Sequence, residues 1–339
     1  MTRTLRVGVV GGGFGQHVQV PAFRAAPGVT VDAICASTEA RARTFAERLG
    51  IPRATGDWRE LVRDPALDAV AVSVPPSLQA PILLGAIAAG KHVFAEKPLA
   101  MNATDARAVL DAARAAGVVG GLDFEFREIS AWQRARALLA EGALGRLRHA
   151  YLSWRIETLA HREGKLNWKR DAVLGGGALN LFGSHALDSI WWLFGETRVR
   201  SAHLLTAAAG TADARVEAVL ASGADEIPVS LSIAADAPLG SGHRLEVYGE
   251  DGALVLENRG SDYASGFSLA LGRRGGALAN VELEPFPPGS DGRVVATARV
   301  VRRFVQAVAT GTPMSPGLED GLRVQDLIDA IRAADRRPS

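Results

Sequence analysis

The sequence predicts an α/β domain with a parallel sheet, followed by an α+β domain with a large, mostly antiparallel open sheet and helices on one face. The length of 339 residues suits two domains better than one. Hydrophobic residues make up 47% of the chain and charged residues 22%, which allows a sizeable core. Near residue 122, strand–helix alternation gives way to successive extended segments. We therefore expect domains at residues 1–122 and 123–339, with the C-terminal helices able to pack back on the first domain.

The first domain alternates short apolar runs with helical patterns, which is typical of a parallel sheet covered on both faces. Helices are predicted between the strands. Gly50 ends one of them, and Asn102 caps the start of another, with Asp105 three residues further on. Five strands are predicted, at LRVGVVG, VTVDAICAS, LDAVAVSVPP, HVFAEKP and VVGGLDFEF.

The second domain begins with a predicted helix over 130–141 and a strand in RLRHAYLSWRIE. Residues 175–196, GGGALNLFGSHALDSIWWLFGE, are mostly apolar with helical spacing. Two closing helices are predicted, in TARVVRRFVQAVATG and GLEDGLRVQDLIDAIRAADR. Seven extended segments lie between these helices, in VRSAHLLTA, ARVEAVLAS, EIPVSLSIAA, HRLEVYGE, GALVLEN, FSLALG and NVELEPF.

Charge and cysteine content exclude several classes of protein. Lys and Arg number 38 against 37 Asp and Glu, and this balance argues against a nucleic-acid partner. Cys35 is the single cysteine, so we expect no intramolecular disulfide, and no Cys/His cluster has the spacing of a zinc site. The glycine-interrupted N-terminus is unlike a signal peptide, and no apolar stretch approaches the length of a membrane span. We expect a cytoplasmic protein with no metal and no membrane partner.

A glycine-rich loop follows the first strand, in VGVVGGGFGQHVQ. Gly11 and Gly13 occupy the first two positions of G-x-G-x-x-G, and Gln16 stands at the sixth. Such glycines let the backbone approach a pyrophosphate at the start of a helix. Within strand–helix alternation, this loop predicts a dinucleotide-binding Rossmann domain. The alternative is a plain strand–helix turn.

The end of the second strand bears on the choice of dinucleotide. No carboxylate stands there; Ser37 and Thr38 do, and Arg41 and Arg43 follow in the first turn of the next helix. Hydroxyl groups, an arginine and a helix N-terminus suit a 2′-phosphate. We therefore expect NADP(H) rather than NAD(H). In the alternative, Glu39 contacts the ribose 2′-OH of NAD and the arginines are merely solvated.

Lys97 lies just past the predicted fourth strand, in GKHVFAEKPLA. Ligands of open α/β sheets bind at the carboxyl ends of the strands, and Pro98 stiffens the turn. A nicotinamide cation beside Lys97 would lower the pKa of its ammonium group toward a catalytically useful range. The alternative is a surface lysine that happens to follow a strand.

Together these segments resemble the glucose-fructose oxidoreductase/inositol dehydrogenase (Gfo/Idh/MocA) family. The glycine loop, GKHVFAEKP, FEFR with LLAEGALGRLR, GGGAL with GSHALD, and EVYGEDGALVLE occur in the family's order, and the resemblance covers essentially the whole chain. It implies an NAD(P)-dependent dehydrogenase or reductase of the EC 1.1.1 type that acts on sugars or cyclitols. It also implies Lys97 in the catalytic site. The second sheet would form a subunit interface, giving a homodimer or homotetramer.

The resemblance, together with the residue patterns at the end of the second strand and around His185, predicts binding residues. Substrate contacts are expected at Glu125, Arg127, His161, Lys169 and Asp188. Cofactor contacts are expected at Gly11, Gly13, Phe14, Gly15, Ser37, Thr38, Arg41, Val74, Pro75, Glu96, Lys97 and Trp168.

His185 is the second expected catalytic residue. Asp188 lies three residues further along and shares its helical face, so it could hold the imidazole in one tautomer. Alternatively, Asp188 anchors the helix to a neighbouring strand. The family often has an aspartate four residues before the histidine, where this chain has Leu181. Asn180 is adjacent but displaced by about 100° on an α-helix.

The leading hypothesis is hydride transfer between nicotinamide C4 and a carbinol or carbonyl carbon of a sugar, cyclitol or related small molecule. Lys97 would exchange a proton with the substrate oxygen, and His185 would form a hydrogen bond to that oxygen or to a neighbouring hydroxyl. Leu181 leaves three alternatives open: action on a non-sugar carbonyl or imine, a cofactor-dependent glycosidase, and a non-catalytic dinucleotide-binding protein.

Overall fold

The computed structural model describes residues 4–165, 167–208, 210–260 and 262–335. The chain divides into two compact units. The first comprises the described part of Met1–Glu125 together with Val294–Gln325, and the second comprises Phe126–Arg293 together with the described part of Asp326–Ser339. Each unit therefore contains segments that are distant in sequence.

The first unit contains a six-stranded, all-parallel sheet, which confirms the predicted sheet type. The order across the sheet is β3-β2-β1-β4-β5-β6. One edge strand, Arg53–Thr55, was not expected, because its three polar or small residues carry no apolar run. The strands are β1 (Leu5–Val10), β2 (Val29–Cys35), β3 (Arg53–Thr55), β4 (Ala69–Val72), β5 (His92–Ala95) and β6 (Gly120–Leu122).

The second unit contains an eight-stranded sheet, in which β7 and β10 are parallel and the other neighbours antiparallel. This confirms the mostly antiparallel sheet that the sequence predicts. Of the expected strand in NVELEPF, only the first residue, Asn280, is in a strand, which it forms together with Ala279. The strands are β7 (Leu147–Arg155), β8 (Thr197–Thr206), β9 (Asp213–Ser222), β10 (Ile227–Ala234), β11 (Gly242–Gly249), β12 (Gly252–Asn258), β13 (Ser268–Arg273) and β14 (Ala279–Asn280).

The helices are close to those expected from the sequence. The Asn102 side chain caps its helix by accepting a 2.8 Å hydrogen bond from the Asp105 N–H, and Gly50 ends another at φ +59°. None of the helices in the described residues is both long and apolar enough to cross a membrane. The α-helices are α1 (Val20–Arg24), α2 (Glu39–Leu49), α3 (Trp58–Arg63), α4 (Pro76–Ala88), α5 (Ala103–Ala116), α6 (Ser130–Ala140), α7 (Leu159–Arg162), α8 (Ser184–Phe194), α9 (Gly292–Thr310) and α10 (Leu318–Ala334).

Three phenylalanines meet in the core of the first unit. Phe23 of α1, Phe94 of β5 and Phe304 of α9 are fully buried, with ring centroids 5.4–6.2 Å apart in edge-to-face contacts. Aromatic rings favour this arrangement because the positive edge of one faces the negative face of another. The late helix α9 thus supplies part of the core beneath the parallel sheet.

The helix that carries His185 differs from a continuous α-helix at its start. Leu179–Gly183 form a π-helical turn, in which the Ser184 N–H donates to the Leu179 carbonyl five residues back. The Ser184 hydroxyl donates to the Asn180 carbonyl at 2.7 Å, which occupies the acceptor that a regular α-helix would offer to the Ser184 N–H. Because of the π turn, the angles that separate Asn180, Leu181 and His185 around the helix axis differ from those of a regular α-helix.

Candidate active site

The glycine loop in the first unit has the shape that a dinucleotide requires. Gly11 has φ +145°, and a Cβ there would overlap the Ser73 carbonyl, so only glycine fits. Nothing lies within 4 Å of the position that a Cβ of Gly13 would take, which leaves open space over the loop. A Cβ at Gly15 would lie 3.2 Å from Val9 Cγ1, so Gly15 allows the first helical turn to pack against β1. These residues fit a pyrophosphate group.

Gln16, at the third glycine position of the motif, braces the loop. Its side-chain amide donates to the Gly12 carbonyl and accepts from the Arg48 guanidinium. Arg48 also lies over the ring of Phe45, 5.5 Å from its centroid. The loop is therefore held from the side of α2.

Hydroxyl and guanidinium groups meet at the end of β2. The Thr38 hydroxyl caps α2 by accepting from the Arg41 N–H at 3.3 Å, and Arg41 Nη1 donates to the Ser37 hydroxyl at 3.3 Å. The Glu39 carboxylate has both oxygens occupied: Oε2 accepts from the Gly56 N–H at 2.8 Å, and Oε1 accepts from Arg43 Nε at 3.1 Å. The hydroxyl and guanidinium groups expected to bind a 2′-phosphate therefore lie close together. The Glu39 carboxylate, which could instead bind the ribose 2′-OH of NAD, is engaged by Gly56 and Arg43.

Lys97 begins the turn after β5, and a buried amide holds this turn. Gln79 of α4 donates to the main-chain carbonyls of Glu96 and, at 2.7 Å, Pro98, so it binds on both sides of the lysine. The Lys97 N–H donates to Glu96 Oε2 at 2.9 Å. Val74 and Pro75, expected to contact the cofactor, lie directly before α4 in the same unit. These contacts hold the backbone on both sides of Lys97 in place.

Acidic side chains lie at the same edge of the sheet as Lys97. Burial raises the pKa of Glu96 to about 7, although the nearby Lys97 ammonium opposes this shift. Burial also raises the pKa of Asp123, and the charges of Glu125 and Glu96 raise it further, against a hydrogen bond from Thr297 and the charge of Lys97. Asp123 and Thr297 were not expected as site residues. The available signal for Asp123 was an acid inside the apolar segment VVGGLDFEF, in which the structure ends the strand at Leu122.

His185 lies in the second unit near the start of α8. The residue is 3% exposed, and its ring stacks on Phe126 with centroids 4.7 Å apart. Asp188, one turn further on, is paired with Arg127: Nε donates to Oδ2 at 3.0 Å, and Nη2 donates to Oδ1. Both side chains are buried. Arg127 and Asp188, each expected to bind substrate, thus tie α8 to the turn at Glu125–Glu128.

The start of this helix is anchored by charged and polar partners. Asp213 Oδ2 accepts from the Leu179 N–H at 2.7 Å, and Asn180 accepts from Arg332 at 2.9 Å. Asn180 also donates to the Gly175 carbonyl at 3.0 Å. Asn180 therefore has a structural role, whereas Leu181 is partly exposed.

Trp168, an expected cofactor contact, and Lys169, an expected substrate contact, lie beside the glycine run before α8. Trp168 and Lys169 form a short 3₁₀ turn, and a Cβ on Gly176 would lie only 2.5 Å from their backbone. The glycine thus lets this turn approach the helix start. His161 contacts the Thr158 hydroxyl at 2.7 Å, and its pKa is lowered by burial and by Arg170. The described residues contain no group of His, Cys, Asp and Glu that could hold a metal.

An aromatic cluster behind His185 contains a second buried histidine, His243. Its ring stacks on Trp154 with centroids 4.3 Å apart and lies 5.4 Å from Phe126. Neither ring nitrogen has a hydrogen-bond partner among the described residues. Burial lowers the pKa of His243 to about 3, so the imidazole is neutral in the folded protein.

His243→Phe is expected to make the protein more resistant to acid than the wild type. An unfolded chain takes up a proton at this histidine below pH 6.5, whereas the folded protein does so only near pH 3. Wild-type stability is therefore lost as the pH falls from 6.5 toward 3, by roughly 2 kcal/mol at pH 5. The phenylalanine variant lacks this loss.

Urea unfolding at pH 7 and pH 5 measures the difference, and the exposed His17→Phe variant is the control. A constant stability difference between wild type and His243→Phe at both pH values would contradict the prediction.

Comparison with known proteins defines the class of this chain. Residues 5–124 match the oxidoreductase family with an NAD-binding Rossmann fold, and residues 132–255 match the GFO/IDH/MocA C-terminal domain. An uncharacterized oxidoreductase of Synechocystis sp. is 33% identical, over 97% of this chain and 94% of that protein. The protein is an NAD(P)-dependent oxidoreductase. It belongs to the Gfo/Idh/MocA family.

Two solved structures share the fold over nearly the whole chain. A levoglucosan dehydrogenase in complex with NADH and L-sorbose has a TM-score of 0.89 at 25% identity, covering 98% of this chain and 97% of that one. A 3-ketoreductase from Actinomadura kijaniata in complex with NADP and TDP-benzene has a TM-score of 0.85 at 26% identity, covering 98% of both chains. One relative holds NADH and the other NADP, so these similarities support an NAD(P) cofactor without favouring either form.

Proposed function

We propose that this oxidoreductase catalyses hydride transfer at a carbinol or carbonyl carbon of a sugar or sugar-like polyol, with Lys97 as the proton acceptor and donor. The observation that carries the proposal is the position of Lys97 at the carboxyl end of β5, in the same unit and at the same sheet edge as the glycine loop. The substrate class is inferred from the named relatives, which include a levoglucosan dehydrogenase and a 3-ketoreductase.

The chain's own residues supply the acid–base chemistry and the orientation. Bound nicotinamide would accept or supply the hydride at its C4 atom. In oxidation, Lys97 Nζ takes the hydroxyl proton; in reduction, it returns a proton to the nascent alkoxide. Gln79 keeps the Lys97 turn in place through its two carbonyl contacts. We assign His185 a hydrogen bond to a substrate oxygen, with Glu125, His161 and Lys169 as further candidate substrate contacts.

A substrate panel tests this assignment. Purified protein is mixed with NADP⁺ or NAD⁺ and with levoglucosan, L-sorbose, inositols and amino sugars, and the formation of reduced cofactor is followed by its absorbance. Oxidation of at least one polyol is expected. Absence of turnover on every compound of this panel, with both cofactors, would overturn the proposed substrate class.

We also propose that NADP(H) is preferred over NAD(H). Support comes from the contact of Arg41 with Ser37 at the end of β2 and from the engagement of Glu39 by Gly56 and Arg43. An arginine and hydroxyl groups can bind the 2′-phosphate of NADP, whereas an available carboxylate would favour the 2′-OH of NAD.

Arg41→Ala is expected to weaken NADPH binding by about tenfold or more, because a hydrogen bond to a charged group contributes roughly 1.5–3 kcal/mol. NADH binding should change little. Fluorescence titration of both dinucleotides measures the effect, and Arg43→Ala, whose guanidinium contacts Glu39, is the matched control. Tighter binding of NADH than NADPH by the wild type, or an equal loss for both in Arg41→Ala, would contradict the preference.

We propose that the open face of the eight-stranded sheet joins copies of this chain into a homodimer or homotetramer. On β9, the side chains alternate: Ala214, Val216, Ala218 and Leu220 are buried, whereas Arg215, Glu217 and Val219 are exposed. One face of the sheet is therefore covered and the other is open. The open face includes apolar groups such as Tyr151, which is 48% exposed, and Val219, which is 40% exposed. Light scattering measures the mass in solution, and the mass of a single chain would overturn this proposal.

A further inference from the structure

Glu96 and Asp123 occupy matching positions at the ends of neighbouring strands. In the parallel pair β5 and β6, Ala95 lies opposite Leu122, and the two acids are the next residues. The Asp123 N–H donates to the Ala95 carbonyl at 2.9 Å, which keeps the strand ends together. Neighbouring strands lie about 4.8 Å apart, and alternation along each strand brings matching residues to the same side. The two carboxyl groups therefore start from adjacent backbone positions.

Each carboxyl group is buried with one oxygen satisfied. Asp123 is 0% exposed and Glu96 8%. Asp123 Oδ2 accepts from the Thr297 hydroxyl at 3.1 Å, and Glu96 Oε2 accepts from the Lys97 N–H at 2.9 Å. Asp123 Oδ1 and Glu96 Oε1 have no hydrogen-bond partner among the described residues. Two ionised carboxylates in this setting would each leave a charged oxygen desolvated.

The charges around the pair also disfavour double ionisation. Lys97 is a cation that acts on both acids, and Glu125 adds a further negative charge next to Asp123. Thr297 contributes a neutral donor. One ammonium group balances only one of two carboxylates, so a single proton on the pair removes the excess negative charge. Such a proton belongs to the pair rather than to either acid.

We propose that Glu96 and Asp123 share one proton and exchange it with Lys97, so that the proton of the reaction is held on the carboxyl pair between turnovers. The proposal rests on the acid–base role of Lys97 put forward above. Asp123 affects the reaction only through Lys97, because it helps to hold the proton that the lysine exchanges. We assign it no contact with the substrate.

The proton balance is simple in both directions. In reduction, Lys97 Nζ–H breaks as the substrate O–H forms, the protonated carboxyl pair returns a proton to Nζ, and the pair regains its proton from water before the next turnover. In oxidation, the substrate hydroxyl gives its proton to Nζ, Nζ passes it to the ionised pair, and the pair releases it to water before the next turnover. The electrons move only as the hydride exchanged with nicotinamide, so the pair is neither oxidised nor reduced.

Infrared spectroscopy tests the shared proton without any substrate. The C=O stretch of a protonated carboxyl group is measured in the wild type as the pH is raised, and we expect the signal to disappear with a midpoint near pH 7. Asp123→Asn and Glu96→Gln should each remove or shift this signal, and Asp111→Asn, at an exposed acid of α5, should leave it unchanged. Absence of a protonated carboxyl in the wild type at pH 6, or a signal unaffected by both variants, would overturn the proposal.

The pH dependence of kcat tests the link to Lys97. In Asp123→Asn, loss of the neighbouring negative charge should lower the apparent pKa of the profile by about one unit. Thr297→Val, which keeps the carboxyl group but removes its donor, should move the apparent pKa the opposite way. If Asp123→Asn has the same pH profile of kcat as the wild type while Lys97→Ala is inactive, the shared proton is refuted and the role of Lys97 is retained. Full activity of Lys97→Ala would refute the role of the lysine, and the infrared result would still report separately on the pair.

Discussion

Lys97→Ala is expected to lower kcat by roughly 10²–10⁴-fold, the contribution usual for a positioned acid–base group. Binding of the dinucleotide should persist, because the glycine loop, Ser37 and Arg41 are unchanged. Steady-state turnover and a fluorescence titration of NADPH, measured on the same preparation, separate these two quantities.

Lys97→Arg provides the matched control for charge. A guanidinium retains the positive charge but stays protonated, so it cannot accept a proton from a substrate hydroxyl. We expect this variant to be nearly as impaired as Lys97→Ala. Near wild-type turnover in either variant would contradict the proposed mechanism, and recovery in Lys97→Arg alone would reduce the role of Lys97 to electrostatic attraction.

Asp188→Ala is expected to destabilise the protein by about 3–5 kcal/mol, because it leaves the buried Arg127 guanidinium without its carboxylate. The pair is bidentate, and its side chains are 6% and 2% exposed. Urea-induced unfolding, followed by circular dichroism, measures the change. Since Asp188 and His185 share α8, kcat is expected to fall as well.

Two further variants make the stability test specific. Asp236→Ala removes the carboxylate of a bidentate pair with Arg215, whose guanidinium is largely exposed, and should cost only about 0–1 kcal/mol. The double variant Arg127→Met/Asp188→Leu should recover most of the lost stability, because no buried charge remains unpaired. Equal losses in Asp188→Ala and Asp236→Ala would contradict the argument from burial.

The sequence was most informative where local patterning decides the structure. Apolar runs between helical patterns predicted the parallel sheet, and the residues around Gly11, Thr38 and Lys97 were assigned to the correct strand ends. Arg53–Thr55 was missed because pairing with Ala33–Cys35, rather than any apolar run, makes it a strand. The π turn was missed because it depends on side-chain hydrogen bonds of Asn180 and Ser184, which periodicity does not report.

Contacts between distant residues limited the prediction of the site. Thr297 and Asp123 are 174 residues apart in sequence, and Arg127 and Asp188 are 61 apart. A single sequence contains no sign of such pairings, so Asp123 was not expected as a site residue and Arg127 was expected to face substrate. His243 was missed because alternation along β11 predicts burial of its side chain and says nothing of its hydrogen bonds.

The position of Phe304 late in the chain affects how the first unit folds during translation. The aromatic contacts beneath the parallel sheet need α9, which is translated only after nearly the whole second unit. The nascent N-terminal segment can form local helices and strands as it emerges, but its core lacks one of its three rings until then. Vectorial synthesis thus makes completion of the dinucleotide-binding unit one of the last events of folding, whereas domains built from one continuous segment can fold as they appear.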